Sequence, residues 1–365
     1  MTRRKMLKAL GLGAAALTIP AFVRRAGAVP PNSMPSGSVL DETGMSILHA
    51  AAAAPSSHNT QPWRVQIVEP HRWVVCADES RWLKVVDPAR RELVLSLGTF
   101  VENLVLAAGA AGYRAEVAVR ARDLMDTEFV EVRLAEDAPT DFPLRRIHSR
   151  RTIRKGYLSK PLPDSVVRQL TGAFTRAVFY PVGSREATLL AQGTVAAFTA
   201  QTNRDDAQAE LARWVRFSES DVRRHGDGLT PATMEIGGVG GWFVRRFMTP
   251  QDVMKRSFRD KGIEIARRQA GEGAGWIVAT TDGQTPAELI AAGREYERML
   301  LPLREQNLAA HPMSQMLEED PWRGSLASDL GTDGMPQFII RVGYVENYPG
   351  HTSPRRPPES FVDVV

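Results

Sequence analysis

The 365-residue chain holds one cysteine, Cys76, which excludes an intrachain disulfide and a thiolate-bound metal centre. After the N-terminus, no stretch assembles the ~18 apolar residues that a membrane span needs. No G-x-x-x-x-G-K-S/T, H-E-x-x-H or G-x-S-x-G pattern occurs, which argues against phosphate-loop, zinc-protease and hydrolase chemistry. A surplus of one charge is also missing. The formal net charge is +4, but residues 1–28 hold six basic side chains and no acidic ones, leaving the remainder at −2. A nucleic-acid-binding reading of the body is therefore excluded unless a local patch supports it. What is present, 43% hydrophobic and 24% charged residues, is the composition of a globular protein and not of a disordered one.

Residues 1–28 read as an address. Thr2 to Lys8 is a charged opening, Ala9 to Val23 is apolar and rich in Gly and Ala, and Ala26-Gly27-Ala28 offers a small-residue cleavage site. Arg3-Arg4-Lys5-Met6-Leu7-Lys8 resembles a twin-arginine (Tat) export signal, with Met6 where phenylalanine is usual. Export through the Tat machinery, cleavage after Ala28 and no stable membrane span thereafter are the expectations. Gly11-Leu12-Gly13-Ala14-Ala15-Ala16 mimics a dinucleotide-binding fingerprint, but no strand precedes it and no acidic residue follows at the required distance.

Residues 29–43 read as a flexible leader. Periodicity then predicts a helix from Met45 to Ala54, strands at 63–67 and 73–76, a helix over 97–108, and strands near 115–120 and 128–134. A second block begins near Ile147. It holds a helix introduced by Pro163-Asp164, a strand at 177–182, and helices over 184–201 and 205–223. A strand at 276–281, a helix started by the Thr285-Pro286-Ala287-Glu288 capping box, and a strand at 338–344 follow. Residues 226–275, rich in glycine and aromatics, read as a lid over a site or a plain surface excursion. There is no regular β-α-β rhythm, so the class is α+β with mixed, mainly antiparallel sheets flanked by helices.

Three constellations could carry chemistry. Pro55-Ser56-Ser57-His58-Asn59-Thr60-Gln61-Pro62-Trp63 places hydroxyls and amides between prolines. Such a loop suits a ligand, and equally suits a turn that satisfies its own backbone. Arg150-Arg151-Thr152-Ile153-Arg154-Lys155 packs four cations and a hydroxyl into six residues, and Ser353-Pro354-Arg355-Arg356-Pro357 adds an arginine pair. Arginine forks grip phosphate bidentately, so two clusters in a net-acidic body point to one small phosphorylated ligand or, alternatively, to solvated turns.

The same residues carry a resemblance. The Pro55–Trp63 loop resembles the FMN-binding loop of the nitroreductase family. Arg150 to Arg154, followed by Leu162-Pro163, is similar to that family's arginine opening, and Ser353 to Pro357 resembles its C-terminal arginine segment. With Pro336 to Tyr344, the whole of residues 44–365 is similar to the Acg-like branch. The resemblance implies that Pro55, Ser56, Ser57 and Asn59 face the flavin ring and ribityl chain. It implies that Arg150, Thr152, Arg154 and Arg355 or Arg356 hold the phosphate, with Arg151 also in the cofactor site, and that Asp282 and Gly283 offer backbone contacts to the ring. His58, His148 and His311 are then structural, because the cofactor does the chemistry.

The order of motifs departs from an ordinary nitroreductase. Here the loop precedes the arginine opening, Asp41-Glu42-Thr43-Gly44 stands where a first opening would be, and no second loop exists. The resemblance thus implies a fused pseudo-dimer: an N-terminal half over 44–145, a C-terminal half over 146–365, and one FMN per chain. Its activity would be ping-pong reduction of a nitro or quinone-like small-molecule acceptor, with NAD(P)H as a possible donor. NAD(P)H is scarce outside the cytoplasm, so sequestration of FMN with little turnover is the alternative, and a flavin-free relative a third.

Overall fold

The computed structural model describes residues 40–365; the signal and most of the leader lie outside the described residues. In chain order the elements are α1 (Glu42–Ala51), β1 (Trp63–Glu69), β2 (Arg72–Ala77), α2 (Arg91–Ala110), β3 (Tyr113–Val119) and β4 (Glu128–Glu136). Then come α3 (Arg145–Ser149), α4 (Asp164–Thr171), β5 (Ala177–Pro181), α5 (Arg185–Asn203), α6 (Asp205–Trp214), α7 (Glu219–His225), α8 (Gly238–Phe247) and α9 (Arg256–Ala270). The chain finishes with β6 (Gly275–Thr281), α10 (Pro286–Leu300), β7 (Leu308–Pro312), α11 (Gln315–Glu318), α12 (Trp322–Leu330), β8 (Met335–Tyr344) and β9 (Val362–Val364).

The strands form two sheets, ordered β3-β4-β2-β1-β9 and β5-β6-β8-β7. All pairs are antiparallel except β1 with β9, which run parallel with Val65 opposite Val362 and Ile67 opposite Val364. The α+β class with mainly antiparallel sheets is therefore the observed one. Alternation explains β1: Trp63, Val65 and Ile67 are buried while Arg64 is exposed. The last strand of the chain thus completes the sheet built by the first.

Two long helices cross between the sheets. A side chain at Gly98 of α2 would meet the Ile290 carbonyl at 2.4 Å, and one at Gly293 of α10 would meet the Leu95 carbonyl at 2.1 Å. Only glycine lets the two backbones approach so closely. Glu102, buried in the same contact, is neutralised by Arg294 at 2.8 Å and Arg298 at 2.6 Å.

The structure differs from the periodicity in several places. Helix α1 starts at Glu42 with Asp41 as its cap, its carboxylate accepting from the Gly44 N–H at 2.7 Å, so the leader ends earlier than expected. Helix α2 starts six residues before 97, because Leu93, Val94 and Leu95 also face the core. It is long and apolar enough to pass for a membrane span, contrary to the expectation, but 78% of its apolar window is buried inside the protein. The helix expected over 205–223 breaks at Val215, which pairs with Leu229 in a bridge before Ser218 caps α7. More than half of 226–275 is helical, and its later part, α9, lies on α5.

Candidate functional site

The Pro55–Trp63 loop is wound tightly. His58, Asn59 and Gln61 all adopt left-handed backbone conformations, with φ of 50°, 54° and 52°. Such conformations are disfavoured for residues other than glycine and persist only where neighbours dictate them. The neighbours here are two remote segments. Asn59 Nδ2 donates to the Gly228 and Pro354 carbonyls, both at 3.1 Å, and Gln61 Nε2 donates to the Gly226 carbonyl at 2.8 Å. Gln61 Oε1 accepts from the Arg356 N–H at 2.8 Å, while the Gln61 N–H donates to Ser56 Oγ at 2.9 Å. The loop does satisfy its own backbone, as one reading holds. It also braces the segment around 226–228 and the C-terminal tail.

Two guanidinium groups converge behind this loop. Arg150 Nη2 and Arg355 Nη2 both donate to the Ala53 carbonyl, at 3.2 and 2.9 Å, and Arg355 Nη1 donates to Asn59 Oδ1 at 2.8 Å. Arg150 is buried, and the nearest carboxylate is that of fully buried Glu297, 3.5 Å from Arg150 Nε. Burial pushes Glu297 up to about 7 despite the pull of Arg150. Burial, then the charge of Arg150, pushes Arg355 down to about 9. Arg150 Nε and Arg355 Nε are buried without a hydrogen-bond partner, as are both carboxylate oxygens of Glu297. A buried cation, Arg150, and a half-buried one, Arg355, face one carboxylate whose pKa burial raises to about 7. Such an excess of positive charge can accommodate an anion.

The remaining predicted cations separate. Arg151 is held by the Gly350 carbonyl, the Ala232 carbonyl and Glu235 at 3.3 Å. Arg154 donates to the Thr233 carbonyl at 3.1 Å and meets His311 Nε2 at 2.9 Å; its burial lowers its pKa. Arg356 turns the other way, donating to the Gln61 carbonyl at 2.9 Å and to Ser360, and lying over the Phe361 ring. Thr152 is half-buried and makes no side-chain hydrogen bond among the described residues. Asp282 is exposed and paired with Arg176 at 2.8 Å. The Gly283 N–H, expected to be free for a ligand, is taken by Glu288 Oε1 at 2.7 Å. Of the predicted set, then, the structure brings together Arg150, Arg355 and Asn59.

On another side of the loop lies an acidic network. Ser57 Oγ donates to Glu92, which also accepts from Arg91 at 2.9 Å and from Ser314 at 3.0 Å. Ser314 is also within 3.1 Å of Glu318, which accepts from Gln201 at 2.7 Å. Arg91 and the two serines keep Glu92 ionised, whereas burial beside that charge holds the Glu318 carboxyl well above the usual range. The two buried carboxyls thus hold one proton between them. Burial pushes His58, which lies in the fields of Glu92 and Arg154, down to about 4, so its ring is neutral at neutral pH.

Glu297, Glu92, Glu318 and the Ala53 carbonyl carry no motif. Glu297 sits between Tyr296 and Arg298 in an otherwise amphipathic helix, and only the position of α10 against Arg150 gives it a role. Among the described residues no three His, Cys, Asp or Glu side chains gather as a metal site.

No protein-family model matches the chain. It is 26% identical over 327 residues to "Probable NAD(P)H nitroreductase PigM" of Serratia sp., covering 85% of this chain and 90% of that protein. It is also 26% identical over 340 residues to a provisionally named NAD(P)H nitroreductase, acg, of Mycobacterium tuberculosis, covering 89% of this chain and 96% of that one. Among solved structures, a nitroreductase-class protein of Anabaena variabilis aligns over 85% of this chain and 90% of its own, at 12% identity and a TM-score of 0.46, too loose to bear on function. The sequence relatives support the nitroreductase resemblance along nearly the whole chain.

Proposed function

We propose that the chain is an FMN-binding oxidoreductase of the nitroreductase type, using NAD(P)H to reduce nitro or quinone-like acceptors. The observation that carries this reading is the uncompensated Arg150–Arg355 pair beside the Ser-rich loop, taken with relatives named as NAD(P)H nitroreductases. A flavin mononucleotide fits the donor set. Its phosphate dianion would balance the two guanidiniums and give Arg150 Nε and Arg355 Nε the acceptors they lack. FMN held there would supply the two-electron redox chemistry, in the ping-pong order we propose. The protein's part is to hold the phosphate, position the Ser56–Asn59 loop, and keep the buried polar network in place.

The proposal extends to architecture and place. The halves 44–145 and 146–365 form a fused pseudo-dimer whose two central helices meet at Gly98 and Gly293, giving one FMN per chain. The signal-like residues 1–28 send it out of the cytoplasm by the Tat route. Sequestration is the second reading, and one observation favours it: residues 226–235 are tied across the loop and arginines through Gln61, Asn59, Arg151 and Arg154. A cover held that firmly limits room for an acceptor. Purified chain should carry one FMN, and NADPH added without oxygen should bleach it. FMN that stays oxidised supports sequestration, and two FMN per chain would sink the fused arrangement.

A further inference from the structure

Helix α8 presents an apolar face outward. Val239, Phe243 and Phe247 recur every four residues on one side, with Trp242 and Arg246 alongside them, while Gly241 and Val244 face inward. Val239 is 83% exposed, Trp242 56%, Phe243 53% and Phe247 58%. The three rings touch, with centroids 5.5 Å apart for Trp242 and Phe247 and 5.1 Å for Phe243 and Phe247. A contiguous exposed aromatic patch of this kind marks an interaction surface. Its base stands clear of the protein, since a side chain added at Gly237 or Gly238 would meet nothing within 4 Å.

Charge selects the occupant. Arg245 and Arg246 flank the rings and have no ion-pair partner among the described residues. They are the only charged side chains of α8, which holds no carboxylate, although residues 29–365 carry a slight net negative charge. A second copy of this chain would bring four unpaired guanidiniums face to face. A bilayer of anionic lipid instead takes the aromatics at its headgroup boundary and pairs the arginines with phosphate, as interfacial helices do. We infer that α8 is a membrane-docking element that seats the protein on an anionic lipid surface. This stands on α8 alone and does not depend on the redox reading.

The test uses the full chain with vesicles of phosphatidylcholine, alone or mixed with phosphatidylglycerol. Trp242 is the exposed tryptophan among the seven, and residues 1–38 contain none, so tryptophan emission reports on α8. Mixed vesicles should shift the emission to the blue and co-sediment the protein. Trp242→Phe should keep the binding and lose the shift. Arg245→Ala with Arg246→Ala should weaken partitioning onto anionic vesicles by roughly thirtyfold and hardly change it on neutral ones. Phe243→Ser with Phe247→Ser should weaken both by about tenfold or more, with an unchanged melting temperature. No blue shift with wild-type protein overturns the inference. So does binding that both double variants leave intact, which would place it in the N-terminal segment. Self-association abolished by the phenylalanine variants, without vesicle binding, would assign the face to a second copy.

Discussion

Glu297 offers the sharpest test of the anion site, because it competes with the ligand for Arg150. Its carboxyl is held near 7 by burial, 3.5 Å from Arg150 Nε, and no other carboxylate pairs with the two guanidiniums among the described residues. A phosphate dianion entering beside it favours the protonated form. Above pH 7 that proton must be taken up on binding, which costs about 1.4 kcal/mol per pH unit, or about tenfold in affinity. Apo-protein titrated with FMN by fluorescence quenching should therefore bind about tenfold more weakly at pH 8 than below pH 7. Glu297→Gln, always neutral, should bind with little pH dependence across pH 6.5–8.5 and more tightly than wild type at the upper end. A Glu297→Gln variant with the wild-type slope, or with weaker binding at every pH, refutes the reasoning; the second result would mean that the carboxylate positions Arg150.

Replacing either Arg150 or Arg355 by alanine removes charge-assisted bonds of about 1.5–3 kcal/mol, so FMN affinity should fall at least tenfold for each; flavin retained at wild-type affinity by the double variant would show that the phosphate lies elsewhere. Gly293→Ala forces a methyl onto the Leu95 carbonyl at 2.1 Å and should cost about 1–3 kcal/mol in urea unfolding, whereas Gly324→Ala in α12, with open space around it, should be neutral or slightly stabilising. Equal effects of the two changes would remove the case for close helix crossing. Glu318 keeps a proton in the folded protein that it loses when unfolded, so its contribution to stability is present below its usual range and is lost as pH rises towards its raised folded value. Glu318→Gln should flatten that decline of the urea midpoint; a stability difference between wild type and variant that does not vary with pH would contradict the shared proton.

The sequence carries much of the fold where local chemistry is strong. The Thr285–Glu288 capping box forms as expected, with reciprocal bonds and Pro286 at the first helical position. Alternation marks β1, and Pro163 introduces α4. What periodicity misses is set by partners far away in sequence. Strand β9 is three residues long and exists because β1 offers it an edge. Val215 leaves the helix because Leu229 pairs with it. The site divides in the same manner. Arginine runs flag Arg150 and Arg355, yet the same runs contain Arg151 and Arg356, whose donors go to Glu235, Gln61 and Ser360. Adjacent residues in an extended segment point to opposite sides, so one of each pair reaches the anion site and the other holds the chain.

That division gives the C-terminal tail a double role. Arg355 reaches the Ala53 carbonyl and Asn59, while Arg356 grips Gln61 and Ser360 and lies over Phe361. Phe361 packs edge-on to Phe100 in the core, its carbonyl accepts from the Val65 N–H at 2.8 Å, and β9 then adds to the sheet edge. The loop is held by this tail on one side and by the 226–228 segment on the other, and its three left-handed residues need both. Local bonds such as Gln61 N–H to Ser56 Oγ are joined by braces from segments about 165 and 295 residues further along the chain. The strap that closes the first sheet therefore also delivers Arg355, one of the two arginines of the proposed anion site.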